Sequence, residues 1–422
     1  MRCADGLVPC AIPSTALPGD WAGWIGGWLL AAGAVVTAAA IPTSIVLMKV
    51  GLGLAFAGAI AARVPVHRYP GFAWALLASA LMLASWAANR GDGYPGKAID
   101  GFQYIWPLGF VLVPALVRAE VRRWCAWALG AGVAVAVAVA VAQFTIGYDG
   151  DRGALRIAWD GSGERGYATG LFAHHIRFGF AMALAALLAG LPTAGAGLGW
   201  LRLLWTALAA VGLALSMARG QVLALIAGAG TLLVLRLRRW WLGALGAGAV
   251  AILAVGALWL VTPERVQSML DGRDGRRAIW SVATQAIAER PWRGHGDKAM
   301  DPAIARRIAS GSATVAQFNE LRPGHAHNLW IHSAFAYGIP AAVALSAWLA
   351  WLGLALIRLR RADPQPAVRA ATAVGLGVLG AAAVGSLTEP LLLQTAPLHA
   401  VMLAWAWCVG TAVAARQEPA DG

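Results

Sequence analysis

Charge is scarce in this chain: 13% of its 422 residues are Asp, Glu, Lys or Arg, against 59% that are hydrophobic. One water-soluble core cannot hide that much apolar surface, which excludes a freely soluble globular domain. Cysteine is scarcer still. The four, Cys3, Cys10, Cys125 and Cys408, lie far apart without C-x-x-C spacing, so neither a zinc site nor a disulfide framework is expected, only small buried hydrophobes. The first twenty residues lack a basic start followed by an apolar stretch and a cleavage site. No removable signal peptide is therefore expected, and the first helix serves as its own membrane signal.

What the chain does have is a succession of apolar runs near the ~20 residues that cross the hydrocarbon, where a helix satisfies its own backbone groups. The expected fold class is therefore all-α, a polytopic membrane protein of about twelve spans: 22–41, 45–62, 71–88, 101–117, 124–146, 170–191, 200–217, 220–235, 240–261, 326–357, 367–387 and 391–414. This divides the chain into helices one to nine (1–261), a long outer loop (262–325), and helices ten to twelve with a tail (326–422).

Basic residues orient the spans. With the N-terminus inside, Arg63, Arg68, Arg118, Arg122, Arg123, Arg202, Arg236, Arg238, Arg239, Arg358, Arg360, Arg361 and Arg369 all fall in cytoplasmic connections. Both termini are then cytoplasmic. The net charge of +13 becomes mostly a consequence of topology, and no nucleic-acid partner is needed to explain it. In the long outer loop, RRAIWSVATQAIAER (276–290) alternates at helical spacing, which predicts short amphipathic helices on the outer surface.

Ionisable groups at the ends of membrane helices carry the functional signal, because they are costly beside hydrocarbon. SMARGQ (216–221) leaves Arg219 in a tight turn at the outer boundary, where a snorkelling turn residue is the plainer alternative. Arg276 opens a helix in GRRAIW (275–280), followed by PWRGHG (291–296). A guanidinium at a helix N-terminus suits phosphate, although a solvated loop arginine would look the same. GHAHNLWIHSAFAYGIP (324–340) puts His327 and Asn328 where the tenth span begins. Histidine titrates near neutrality, so it can serve as a general base; interfacial histidines are more often structural. His325 and His332 compete with it. His325 and His327 are two apart and have no carboxylate at ligand spacing, so no metal site is expected.

His327-Asn328, nine residues, then Gly338 resembles the signature of O-antigen ligases, in which His-Asn/Ser/Gln precedes Gly-x-x-Gly/Thr/Tyr; Ala341 departs from its last position. SMARG is similar to the Ser-x-x-Arg-Gly turn of the wider family of ligases, polymerases and protein O-oligosaccharyltransferases. GRRAIW with PWRGHG resembles its Arg-x-x-x-Trp helix and Pro-x-x-Gly-x-Gly exit, and GLFAHHIRFGFAMALA (170–185) its Gly-Leu-Phe span. The resemblance implies a glycosyltransferase of GT-C-like architecture in the bacterial inner membrane, with its site at the periplasmic face. It further implies that Arg219 and Arg276 bind the pyrophosphate of an undecaprenyl-linked glycan donor. His327 would activate a hydroxyl of a lipid A-core acceptor, with inversion and with neither metal nor nucleotide. His174 and Arg177, one turn apart, can extend the donor site or merely anchor the helix, and His325 and Asn328 are further candidates. Membrane lipids are the remaining partners, and a monomer is compatible with the scheme.

Three rivals stay open. An O-antigen polymerase or protein O-oligosaccharyltransferase would share the two-arginine logic. A lipid-linked glycan flippase would use arginines without making a bond, but the twelve runs show no internal repeat and the charges collect on one face instead of at midplane. A scaffold explains neither the arginine turn nor the long loop.

Overall fold

The computed structural model describes residues 21–69, 71–90, 107, 109–146, 167–172, 174–193, 199–237, 248, 275–312, 314 and 324–417. Among the described residues there are helices and no strands. They are Trp21–Ala40 (α1), Ile45–Ala61 (α2), Phe72–Ala88 (α3), Val113–Val117 (α4), Ala119–Ile146 (α5), His175–Leu188 (α6), Gly199–Leu215 (α7), Arg219–Arg236 (α8), Gly275–Glu289 (α9), Met300–Ala309 (α10), Leu329–Tyr337 (α11), Ile339–Ala362 (α12), Pro366–Gly385 (α13) and Thr395–Gln417 (α14). Helices α1, α5, α8, α12, α13 and α14 are long and apolar enough to cross a membrane, and α2, α3, α6 and α7 are shorter apolar helices. The chain is an all-α polytopic membrane protein.

Most expected spans coincide with a helix, and one is corrected. The run 326–357 is two helices, because Gly338 sits at φ +87°, in the region open to glycine, and ends α11 before α12 starts at Ile339 with Pro340 in its first turn. The helix beyond the break runs on to Ala362. Within 101–117, the described part is a 3-10 turn at 109–112 and the short α4. The expected span 240–261 lies outside the described residues except for position 248, of the outer segment expected at about 147–169 only 167–169 are described, and Cys3 and Cys10 lie wholly outside them. Cys125 and Cys408 are buried free thiols. Two helices occur in the long loop as expected: α9 buries Ile279, Val282, Ala283 and Ala286 on one face, and α10 buries Met300, Ala303 and Ile304.

Lipid tails are as apolar as leucine, so close packing of small residues has to hold such helices together. Between α1 and α2, a Cβ on Gly33 would meet Ala55 N at 2.5 Å, and one on Gly51 would meet Thr37 Oγ1 at 2.6 Å. Between α8 and α13, a Cβ on Gly228 would meet Gly377 O at 2.7 Å, and one on Gly377 would meet Gly228 O at 2.8 Å. Helix α14 fills the centre with fully buried Trp405 and Trp407, beside α6, which buries every residue from Phe178 to Leu188. The periphery carries Trp21, Trp24, Trp28, Trp200 and Leu203 outward, as a lipid-facing surface requires.

Connectivity sorts the charges onto two ends of the bundle. At one end, α6 begins, α7 turns into α8, α11 begins and α13 finishes; Gly179 packs on Ser216, and Leu329 N donates to Ser386 O. At the other end, Arg360 donates to Leu235 O and Arg369 O, and Arg416 pairs with Asp363 at 3.9 Å. Gly228→Leu should therefore wedge α8 from α13 and cost about 1–3 kcal/mol. A lowered melting midpoint in detergent would report this, while Gly53→Leu, whose added carbon meets nothing within 4 Å, should leave the midpoint in place.

Candidate functional site

The site is built where α11 breaks into α12. Gly338 leaves the last carbonyls of α11 without helical partners, and the segment after α9 satisfies them: His295 N donates to Phe335 O and Gly296 N to Ala336 O, both at 2.9 Å. Ile339 N returns a bond to Pro291 O at 2.8 Å. The two backbones come so close that a Cβ on Gly338 would collide with Trp292 O, and one on Gly294 with Ala336 O. Helix α3 closes the joint from behind, with Ser85 Oγ and Asn89 Nδ2 donating to Arg293 O.

This joint fixes α9, and α9 fixes the approach to His327. Trp280 Nε1 donates to Ala326 O at 2.7 Å. One residue on, Asn328 caps α11: its Oδ1 accepts from Trp330 N and Ile331 N, and its Nδ2 donates to Leu387 O. The amide thus joins the start of α11 to the segment that carries Glu389. Pinned on both sides, His327 adopts φ +49°, a left-handed conformation uncommon for a residue with a Cβ. Strain of order ~1–3 kcal/mol persists where the surroundings over-determine it, and such places cluster at functional sites.

The left-handed turn presents His327 to a carboxylate 62 residues away. His327 Nδ1 donates to Glu389 Oε1 at 2.7 Å, and His325 Nε2 lies 3.6 Å from Glu389 Oε2. Glu389 is 3% exposed. Burial by itself would raise its pKa, yet the value is lowered, because the His327 hydrogen bond and the electrostatic interactions with His327, His325 and Arg276 prevail. The group is a buried carboxylate that stays ionised at neutral pH. Beside it, burial pushes the His325 imidazole down to about 3, overriding the attraction of Glu389.

The other sequence candidates fall around this pair. Arg276 opens α9 within electrostatic reach of Glu389, and Arg177, in the first turn of α6, acts on both Glu389 and His325. Arg219 opens α8 in a turn where Met217 also takes a left-handed φ of +53°, and a Cβ on the next residue, Gly220, would meet Thr388 Oγ1 at 2.7 Å. The turn therefore packs on the residue preceding Glu389. His174 caps α6, its Nδ1 accepting from Ile176 N at 3.3 Å, which gives it a structural duty. His332 bonds Asp297 at 3.3 Å together with Tyr337 at 3.2 Å. Burial would raise the Asp297 pKa, but these bonds and the nearby cationic charges hold it at about 2.

Glu389 is the residue that the sequence reading missed, although a signal was there: it is the sole charged residue between Arg369 and Arg416. The spacing argument about metals missed it too. One nitrogen each from His325 and His327 and one oxygen of Glu389 lie within 4.8 Å of one another, close enough to surround a cation. The Glu389–His327 hydrogen bond already satisfies one face of that trio.

Residues 204–346 match the family model for O-antigen ligase. The match reaches from α7 into α12 and includes Arg219, Arg276, His325, His327 and Asn328, whereas His174, Arg177 and Glu389 lie outside it. The chain matches none of the curated proteins compared with it.

Two consequences can be measured. Asn328→Ala removes the cap of α11 and a tether to the Glu389 loop, and should cost about 1 kcal/mol of thermal stability. Asp297 titrates below an ordinary carboxyl of ~3.9, so its stabilising contribution is complete above that value and fades as pH falls towards about 2. Asp297→Asn should flatten this part of the acid limb of the melting curve, and an unchanged limb would mean that the network does not stabilise the fold.

Proposed function

Because the match over residues 204–346 supports membership of the O-antigen ligase family, we propose that this protein is an O-antigen ligase. It takes a glycan from an undecaprenyl-pyrophosphate donor and joins it to a sugar hydroxyl of lipid A-core at the periplasmic face of the bacterial inner membrane. The family match supports an enzyme of the ligase and polymerase kind, and the finer assignment is our reading. The observation that carries it is the 2.7 Å contact between His327 and the buried Glu389 carboxylate, with Arg276 and Arg177 acting on the same carboxylate and the Arg219 turn packed beside it.

The chemistry follows from these groups. Donation from Nδ1 to Glu389 fixes the imidazole tautomer and leaves the Nε2 lone pair to accept the proton of the incoming hydroxyl. The hydroxyl oxygen attacks the anomeric carbon from one side while the bond to the pyrophosphate oxygen breaks on the other, which inverts the centre. The leaving lipid pyrophosphate takes the electron pair. Its growing negative charge meets Arg219 and Arg276, which stabilise the transition state more than the bound donor and can take the place of a divalent ion. Glu389 touches His327 and not the reactants, so it is a positioning residue whose fixed charge favours the imidazolium formed in the reaction. Both substrates are lipids, so entry is lateral, between helices of the outer leaflet. The twelve-span topology with both termini in the cytoplasm belongs to this proposal, and a monomer is enough for it.

The test is purified protein in detergent with lipid-linked glycan, lipid A-core and EDTA. Glycan on the core supports the ligase. Elongation of the donor without core would indicate a polymerase, transfer to a protein hydroxyl an oligosaccharyltransferase, and translocation without a new bond a flippase. Loss of activity in EDTA, restored by a divalent ion, would give the His325, His327 and Glu389 trio a different role. His327→Ala should lower kcat by at least about 10²-fold with donor binding kept. Arg219→Lys and Arg276→Lys should weaken donor binding as well, since an ammonium cannot make the paired contacts of a guanidinium. Glu389→Gln should fall mainly in kcat.

A further inference from the structure

At the end of the bundle away from the histidines, α8, α12 and α13 frame a cavity of about 490 Å³, lined by Leu235, Ile357, Leu376 and Pro364 together with Arg360, Arg361 and Arg369. Its volume is in the ~300–1,000 Å³ range of ligand sites. We propose that this cavity binds the headgroup of an anionic phospholipid from the leaflet at that end, with an acyl chain lying along the groove between α8 and α12.

The arginines divide their work. Arg360 is committed to the protein: it donates to Leu235 O near the C-terminus of α8 and to Arg369 O, which ties α12 to both neighbours. Arg361 and Arg369 are exposed at the rim, and the charges of Arg369 and Arg236 act on Arg360. The acid of this corner is turned elsewhere: Asp363 is 5% exposed, lies 3.9 Å from Arg416, and accepts from Gln365 N. Among the described residues no ion pair compensates Arg360, Arg361 or Arg369. Arginines outside the membrane follow from topology alone, but topology does not require them to rim a cavity with apolar walls.

Helices α8 and α12 both pack on α13. One turn before Ile357, a Cβ on Gly353 would meet only Leu379 Cδ1 of α13, at 4.0 Å, and Leu354 of α12 and Leu233 of α8 are exposed, so we read this face as an apolar trough leading away from the cavity. A basic head with an apolar trough is complementary to a phosphodiester with attached chains, whereas a soluble phosphate would leave the trough uncovered. Basic pockets between helices on the cytoplasmic side recognise anionic headgroups in this way. The inference does not depend on the reading of the histidine site.

Native mass spectrometry of the full chain in detergent tests it, with phosphatidylglycerol or cardiolipin against phosphatidylcholine, and glycerol phosphate as the headgroup without chains. The intact protein should retain the anionic lipids and neither of the others. Each arginine contributes about fivefold near an anionic surface, so Arg361→Gln combined with Arg369→Gln should weaken retention roughly twenty-fivefold. The double variant keeps Arg360 and hence the clamp on α8. Gly353→Leu, which fills the trough without altering charge, should also weaken lipid retention. Arg358→Gln should not, because Arg358 lies over the Trp351 ring at 5.4 Å and outside the cavity lining. Equal retention of phosphatidylcholine, binding of glycerol phosphate as tight as that of the lipids, or undiminished retention in the double variant would overturn the proposal.

Discussion

A carboxylate buried at the end of an apolar helix bundle must be compensated locally, since taking an ion out of water costs several kcal/mol. Glu389 is such a group, and its compensation draws in much of this end of the protein. His327 supplies the hydrogen bond, His325 a second ring nitrogen at 3.6 Å, and Arg276 and Arg177 positive fields. These residues come from α6, α9 and the turn that opens α11, so one charge holds together segments that are far apart in sequence. Removing a partner would leave an unsatisfied charge, which is why the arrangement is more specific than any of its contacts taken singly.

The compensation has a backbone condition. His327 reaches Glu389 only from a left-handed turn, and that turn is stable because Trp280 holds Ala326, Asn328 caps the next helix, and Leu329 N bonds Ser386 O. Trp280 is in turn positioned by α9, whose exit segment docks on the carbonyls that the break at Gly338 releases. Gly338 in the His327-Asn328…Gly338 pattern thus has a physical reason. It is the point where a second backbone passes too close for a Cβ, and without that approach the helix carrying Arg276 and Trp280 loses its seat.

How far the sequence discloses this depends on the range of each interaction. Apolar runs are local, so eleven of the expected spans have a described helix at or near their position, though in 101–117 it is only the short α4, and the amphipathic α9 begins within a residue of its expected start. The break inside 326–357 is also local, as Gly-Ile-Pro, but the hydropathy on either side hides it. Glu389 is different. Its contact with His327 spans 62 residues, and no spacing rule joins an acid after one membrane helix to a histidine before another. Asn328 and His174 look like reactive candidates in the sequence, and in the structure Asn328 Oδ1 and His174 Nδ1 also serve as helix caps, a duty that depends on where each helix begins. Reasoning about metal ligands from His325 and His327 alone suffered the same limit.

The two ends of the bundle use charge in opposite ways. Near Glu389, acid and base interleave and neutralise one another, as a site that must stay desolvated requires. Around Arg360 the exposed charges are basic, and among the described residues the one acid of that corner, Asp363, is buried and turned to Arg416, so mobile anions must balance the rest. Helix α8 belongs to both ends, from the Arg219 turn to Leu235 at the cavity wall, 16 residues later and therefore ~24 Å away at ~1.5 Å per residue. That distance exceeds the ~8 Å screening length in surrounding water several times over, so direct electrostatic influence between the ends is small. What connects them mechanically is the Gly228–Gly377 approach, which lets α8 and α13 pack too closely to slide freely. A ligand at the arginine cavity can therefore affect the histidine end chiefly by fixing the position of this helix pair.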